Sequence, residues 1–183
     1  MRAVAALALV LAGGTLAGRA GAVEREHALG VDVGPAVLVI ADKSTPDVGG
    51  TVGLHYSYGL SDAFNLVASA GWSLLALGNL QDGSSPPTRP TNMTNVNAGV
   101  AYVLDVLQWV PWISGELGGY ALQGGTIGGV KLDAGAAVGL GLDYKLNRSW
   151  SVGVSVHQHF LLDLSTYPSF TQAFARFEYV WGW

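Results

Sequence analysis

Three histidines, His55, His157 and His159, lie in segments where polar and apolar residues alternate. Residues two apart on a β-strand point to the same side, so His157 and His159 present both imidazoles on one face. Imidazole is a common zinc ligand, and this pair supplies two of the roughly four ligands that a zinc site needs. The alternative is that the three side chains fill a polar interior, and a two-ligand signal favours that alternative. We predict no bound metal and no cofactor.

Charged residues share the predicted polar face with these histidines. A charge in a narrow interior is costly without a partner, which favours pairing within such a set. If the last strand pairs with the first, Arg176 and Glu178 lie near Asp32. The predicted members of this interior ionic network are Arg176, Glu178, Asp32, Glu116, Lys131 and Asp133. The network either fills the interior as a plug or acts as a gate, and the plug is the simpler interpretation.

The sequence does not support acyl-transfer or phosphate chemistry. A catalytic serine needs a neighbouring histidine and an acid. The segment His157-Gln158-His159 has histidine where a His-x-Ser pair would have its serine. The glycine pairs at 124–125 and 128–129 are not followed by Lys and Ser or Thr, so they do not form a phosphate-binding loop. We predict that the protein is not an enzyme.

Strands must position these side chains, because the chain is apolar on average but never for long. Half of its residues are apolar and 12% are charged, yet no apolar run after the first residues reaches the roughly 18 residues of a spanning helix. Alternation with a period of two predicts eight strands. They are 29–40, 49–59, 64–77, 93–104, 112–123, 130–144, 150–162 and 171–183. Pro35 has no amide donor, so we expect a bulge or a gap in the first strand. The predicted fold is all-β, an eight-stranded antiparallel up-and-down transmembrane β-barrel.

The apolar face of these strands carries too many large side chains to fit inside an eight-stranded barrel. The other face is mostly glycine, alanine, serine and asparagine, with too few charges for a solvated surface. We therefore predict that the apolar face contacts lipid and that the polar face lines the lumen. Aromatic residues at the strand ends nearest the chain termini then form an interface girdle. Its predicted members are Tyr58, Phe64, Trp112, Tyr144, Trp150, Tyr179, Trp181 and Trp183.

Residues 1–22 have the pattern of a signal peptide. Met1 and Arg2 form a basic start, residues 3–12 are apolar but too short to span, and Ala20-Gly21-Ala22 matches a cleavage site. An uncleaved anchor helix is the alternative, although glycines and Arg19 interrupt it. We expect export and cleavage after Ala22, leaving residues 23–183 as the barrel domain. The net charge of −4 and the scattered Lys and Arg residues argue against nucleic acid as a partner.

The eight alternating segments, the stretch Gly59-Leu60-Ser61-Asp62-Ala63-Phe64 and the aromatic last strand resemble the small eight-stranded outer-membrane barrels, namely the OmpA transmembrane domain, OmpX and OmpW. The resemblance covers nearly all of residues 29–183. It implies a monomer in the outer membrane, in contact with the lipid bilayer and lipopolysaccharide. It also implies that the last strand carries the signal read by the barrel-assembly machinery. The residues concerned are Phe177, Tyr179, Trp181 and Trp183, and the final Trp departs from the Phe that is usual in this family.

Two functions are compatible with this fold. In the first, the protein has a structural or surface-loop role and its lumen is plugged by side chains. In the second, it is a narrow, weakly cation-preferring pore for small solutes. The pore is considered because Gly135, Ala137, Gly139 and Gly141 leave room for water, and because inward-facing acids outnumber inward-facing bases.

Overall fold

The computed structural model describes residues 25–41, 46–75, 89–104 and 108–182. Within these ranges eight antiparallel strands close into one barrel in chain order, and the last strand pairs with the first. The strands are β1 His27–Val39, β2 Asp47–Gly59, β3 Phe64–Leu75, β4 Asn92–Val103, β5 Trp109–Gln123, β6 Val130–Lys145, β7 Trp150–Leu161 and β8 Ser169–Trp181. No helix in the described ranges is long and apolar enough to cross a membrane. The predicted fold is confirmed.

All eight strands differ from their predicted bounds, by at most three residues at either end. β5 begins at Trp109 rather than at residue 112, because Val110 and Pro111 continue the ladder with β6. β8 begins at Ser169 and ends at Trp181. The predicted signal peptide, 1–22, and the predicted girdle residue Trp183 lie outside the described residues.

Alternation along the strands separates an apolar outer surface from a buried interior. On β8, Phe177 is 43% exposed, whereas the side chain of the adjacent Arg176 is 9% exposed. On β7, Val154 is 60% exposed, whereas the side chain of His157 is 13% exposed. Since large apolar side chains point outward all round the barrel, the outer surface suits contact with acyl chains, and the charged face lies inside. The predicted orientation of the two faces is therefore correct.

Pro35 interrupts the seam between the first and last strands. The β1–β8 ladder pairs Val33 with Ala175 and resumes with Ala36 and Gln172, so Gly34 and Pro35 have no ladder partner on β8. Two residues on each strand lie between the two pairs, and because the numbers are equal the break is a gap rather than a bulge. At Gly34 a Cβ would lie 1.9 Å from the carbonyl oxygen of Ala173, so only glycine permits this close approach.

An apolar cluster, here called the distal plug, fills the lumen near the rim opposite the chain termini. Its members are each at most 4% exposed and come from β1, β3, β4, β5, β7, β8 and adjoining loops. They are Ala36, Leu38, Ile40, Leu75, Met93, Tyr120, Leu122, Leu161, Tyr167 and Phe170. The sequence predicts a lumen face of mostly small and polar residues, but near this rim the face carries large apolar side chains.

A cavity of about 210 Å³ lies on the other side of the plug. It reaches the rim where β1 begins and β8 ends, called here the termini rim, and there it is lined by Lys145, Asn147 and Arg148. Its inner end is lined by Asn95, His159 and Gln172, and no residue of the distal plug lines it. The described lumen therefore has two halves, a mostly apolar one that is filled and a polar one that contains space.

Candidate functional site in the polar lumen

His55 is the centre of a buried ionic cluster that joins the first, second and last strands. Its Nδ1 lies 2.7 Å from Asp32 Oδ2, and its Nε2 lies 2.7 Å from Glu178 Oε1. The barrel closure explains this meeting, since Gly30 of β1 is the register partner of both His55 and Glu178. A neutral imidazole has only one N–H, so both hydrogen bonds require one further proton, carried by the imidazole or by one of the carboxyl groups.

Arg176 is the only arginine or lysine in this cluster among the described residues. Its Nη2 donates to Glu178 Oε1 at 2.5 Å, and its Nε lies 3.7 Å from Asp32 Oδ1 and 3.8 Å from Asp143 Oδ1. The guanidinium carbon lies 4.5 Å from the centre of the Trp112 ring. Trp112 Nε1 donates in turn to Asp143 Oδ2 at 2.6 Å, so Trp112 and Asp143 hold the arginine from the β5 and β6 walls.

The structure therefore brings together three of the predicted network residues, Arg176, Glu178 and Asp32, and adds His55 and Asp143 to them. Neither Asp143 nor His55 could be assigned to Arg176 without the strand register. Ser151 Oγ also donates to Glu178 Oε2 at 2.6 Å, which leaves both oxygens of this carboxylate bonded.

Glu116 belongs to a different group on the opposite wall. It accepts hydrogen bonds from Ser69 Oγ at 3.0 Å and from Ser114 Oγ at 2.8 Å, and it lies 3.7 Å from His157 Nδ1. No contact joins Glu116 to Arg176 in the described residues. Glu116, a predicted member of the network, therefore lies apart from Arg176, because β5 lies across the lumen from β1 and β8.

His159 lies in a hydrogen-bonded layer directly below the distal plug. Its Nε2 lies 2.9 Å from Gln172 Oε1, and its Nδ1 lies 3.0 Å from Tyr120 Oη. Gln172 Nε2 donates to Thr51 Oγ1 and Ser73 Oγ, each at 3.0 Å. The layer links β5, β7, β8, β2 and β3 across the lumen. His159 therefore helps to hold these strands together.

Lys131 and Asp133 do not join the ionic network, which corrects the prediction. Lys131 Nζ lies 2.6 Å from Asp163 Oδ2, and the two side chains are 35% and 28% exposed. Asp133 Oδ2 accepts from the backbone N–H of Asp163. The Lys131 ammonium group and the Ser165 hydroxyl hold the pKa of Asp163 well below its usual range. Both residues lie near the start of β6, at the rim opposite the chain termini. There they fix the loop before β8 and do not enter the barrel interior.

Trp112 is not a girdle residue, because it points into the lumen. Trp109, at the start of the longer β5, is 55% exposed and packs on Tyr144, with ring centres 4.8 Å apart. Six other predicted girdle residues line the termini rim, namely Tyr58, Phe64, Tyr144, Trp150, Tyr179 and Trp181. Trp183 lies outside the described residues. His27 and Tyr102 complete the ring, His27 by stacking on Trp181 at 5.4 Å and Tyr102 by contacting Phe64 at 5.3 Å.

No three His, Asp or Glu residues in the described ranges are arranged to hold a metal ion. His157 and His159 stack with their ring centres 6.3 Å apart, but their partners differ: His157 contacts Trp112 and Phe174, and His159 contacts Tyr120 and Gln172. His55 is occupied by two carboxylates. The three predicted lumen histidines thus face the interior in separate environments.

The comparison with known proteins rests on structure. No family model matches the sequence, and no curated protein matches it. Neisserial surface protein A matches with a TM-score of 0.61 at 10% identity, over 84% of this chain and 96% of that one. The N-terminal barrel of Pseudomonas aeruginosa OprF matches with a TM-score of 0.56 at 15% identity, over 86% and 98%. The attachment invasion locus protein Ail of Yersinia pestis matches with a TM-score of 0.55 at 12% identity, over 86% and 99%. The closed barrel, its apolar outer surface and these similarities together show that the chain has the fold of the small eight-stranded outer-membrane barrels.

Proposed function

We propose that this protein is an integral outer-membrane barrel with a structural or surface-loop role, and that its lumen does not conduct. The observation that carries the proposal is the distal plug, in which ten apolar and aromatic residues fill the lumen at one end. Interiors packed in this way leave few voids as large as a water molecule. A solute that entered from the termini rim would have to displace buried side chains in order to leave at the opposite rim.

The outer surface supports insertion in a bilayer. Exposed leucine and valine side chains lie on β1 to β7, and Phe177 and Tyr179 are exposed on β8. The aromatic ring at the termini rim has the amphipathic character of an interface belt. In water so large an apolar surface would cause aggregation. In lipid it has no such cost. The bilayer and lipopolysaccharide are accordingly the proposed partners, with the chain exported, monomeric and without a role in nucleic-acid binding or catalysis.

The last strand supports the proposed route of assembly. Phe177, Tyr179 and Trp181 lie outward on β8, where another protein in the membrane can reach them. Together with Trp183 they form the proposed signal for the barrel-assembly machinery. Deleting the final aromatic residues should leave unfolded protein in the periplasm. Normal amounts of folded barrel in the outer membrane would contradict this role.

The alternative function is a narrow pore with a preference for cations. The cavity favours it, because the lining contains Asp32, Glu116, Asp143 and Glu178. Movement of the plug would then connect this space with the opposite rim. The alternative needs a conformational change, which the plugged barrel does not.

Conductance in planar bilayers distinguishes the two functions. The plugged barrel should be silent, whereas a pore should give steady ohmic steps with a cation preference. Folding must be checked on the same preparation by the change in gel migration on heating. Ohmic steps from fully folded protein would contradict the plugged barrel, and membrane fractionation tests the location independently.

A further inference from the structure

The polar half of the lumen contains more negative than positive charge. Four carboxylates line the cavity, Asp32, Glu116, Asp143 and Glu178, whereas Arg176 is the one arginine or lysine on its inner wall among the described residues. If the extra proton required by the His55 contacts is counted, the cluster keeps a net charge of −2. Glu26, Lys145 and Arg148 at the mouth add a single positive charge. A buried excess of one sign is costly in a low-dielectric interior, so the cavity favours a cation.

The buried polar atoms of the cavity wall that lack a hydrogen-bond partner are mostly acceptors, which also favours a cation. Asp32 Oδ1, Asp143 Oδ1 and Asn65 Oδ1 are buried acceptors without a hydrogen-bond partner, and all three residues line the cavity. Among the described lining residues the unpaired donor is Arg176 Nε. Asp32 is 9% exposed, and its Oδ1 lies 3.7 Å from Arg176 Nε, which is too long for a hydrogen bond. Acceptors in excess of donors call for a ligand that donates hydrogen bonds.

The shape and the remaining wall point to an organic cation. Trp112, Phe174 and His157 line the cavity, with the His157 ring centre 5.8 Å from Trp112 and 5.7 Å from Phe174. Aromatic faces and carboxylates together attract organic ammonium groups. A cavity of about 150 Å³ holds a benzene-sized molecule, so one of about 210 Å³ has room for roughly eight non-hydrogen atoms. The described residues have no metal geometry, which disfavours a bare metal ion.

From these observations we propose that the lumen cavity is a one-ended binding site for a small organic ammonium ion, which enters from the termini rim and does not cross the barrel. Asp32 on β1 and Glu116 on β5 lie on opposite walls, because the two strands are four positions apart in a ring of eight. An aliphatic diammonium ion is therefore the best-matched ligand, with one ammonium group near each carboxylate. The one-ended access rests on the proposed closed lumen, whereas the binding of a ligand goes beyond that function.

The test is calorimetric titration of the whole barrel, folded in detergent, with 1,4-diaminobutane. The matched neutral control is 1,4-butanediol, which has the same length and no charge. We expect saturable one-to-one binding of the diamine and none of the diol. Equal binding of both compounds, or no saturable binding of the diamine, would overturn the proposal.

Variants then locate the site. Replacing Asp32 by Asn should weaken diamine binding about ten-fold, the effect of losing one charge-assisted hydrogen bond. Asp163→Asn removes the same charge outside the cavity and should leave the affinity unchanged. If Asp32→Asn does not fold, as judged by gel migration on heating, Glu116→Gln tests the opposite wall in the same way. Equal affinity of the Asp163→Asn protein and the folded lumen variant would overturn the proposed location.

Discussion

The two halves of the lumen solve the problem of filling a narrow barrel in different ways. Near the opposite rim, apolar side chains from six strands pack until almost nothing is exposed. Near the termini rim, charged side chains pair across the lumen but leave a cavity. Apolar groups can approach from any direction, whereas ionic and hydrogen-bonding groups must satisfy geometry and charge. Apolar contacts therefore hold the plug together, whereas ion pairs and hydrogen bonds hold the polar half.

Phe170→Ala should have the largest effect, because it removes a fully buried ring from the distal plug. We expect a loss of about 3–5 kcal/mol in the free energy of unfolding. The measurement is denaturant unfolding in detergent, followed by bilayer recordings for new conductance. Phe177→Ala is the matched control, since it removes the same ring from the outer face of the same strand. If both variants lost equal stability, the distal plug would not be the packed half.

Arg176→Met should have the next largest effect, since it keeps the aliphatic stem and removes the charge that contacts Glu178. The remaining carboxylates then lie close together without their cation, and we expect a loss of roughly 2 kcal/mol, reduced by water that reaches the cavity. The temperature at which gel migration changes should fall. Lys131→Met removes a cation at the opposite rim and serves as the control. An unchanged transition in Arg176→Met would argue against the ionic network.

Tyr120→Phe tests the layer that separates the two halves. The variant keeps the ring and removes the hydroxyl that contacts His159 Nδ1, at an expected cost of about 1 kcal/mol. Denaturant unfolding measures the difference. Tyr144→Phe removes a hydroxyl from an exposed contact with Gln108 and should change stability much less. If the two tyrosine variants were equal, the layer would not brace the lumen.

The contact between Lys131 and Asp163 should give the smallest effect. Because the pKa of Asp163 is lowered in the folded protein, its carboxylate stabilises the fold at neutral pH. This contribution is lost as the pH falls from the unfolded value of about 4 toward the lower folded value. Asp163→Asn should cost at most about 1 kcal/mol at pH 7. Melting temperatures of the variant and the natural protein should converge in acid, and a difference independent of pH would contradict the assignment.

The sequence predicts the barrel and its two faces well, because a period of two in Phe177 and Val154 depends only on local geometry. It predicts the site less well. Trp112 is an aromatic residue near a strand end, as a girdle residue would be. It points inward because alternation along β5 places it on the lumen face. Lys131 shares the face of the network but lies at the start of β6, near the rim opposite the chain termini. The contacts between His55, Asp32 and Glu178 depend on barrel closure and shear, which no single segment encodes.

The aromatic ring at the termini rim has a consequence for how the barrel tolerates change. Each of the four hairpins ends at its open base in a cross-strand pair, namely His27 with Tyr58, Phe64 with Tyr102, Trp109 with Tyr144, and Trp150 with Tyr179. These aromatic pairs set the depth of immersion at the termini rim. Loops at the hairpin tips can therefore lengthen, shorten or exchange while the height of the barrel in the bilayer stays constant.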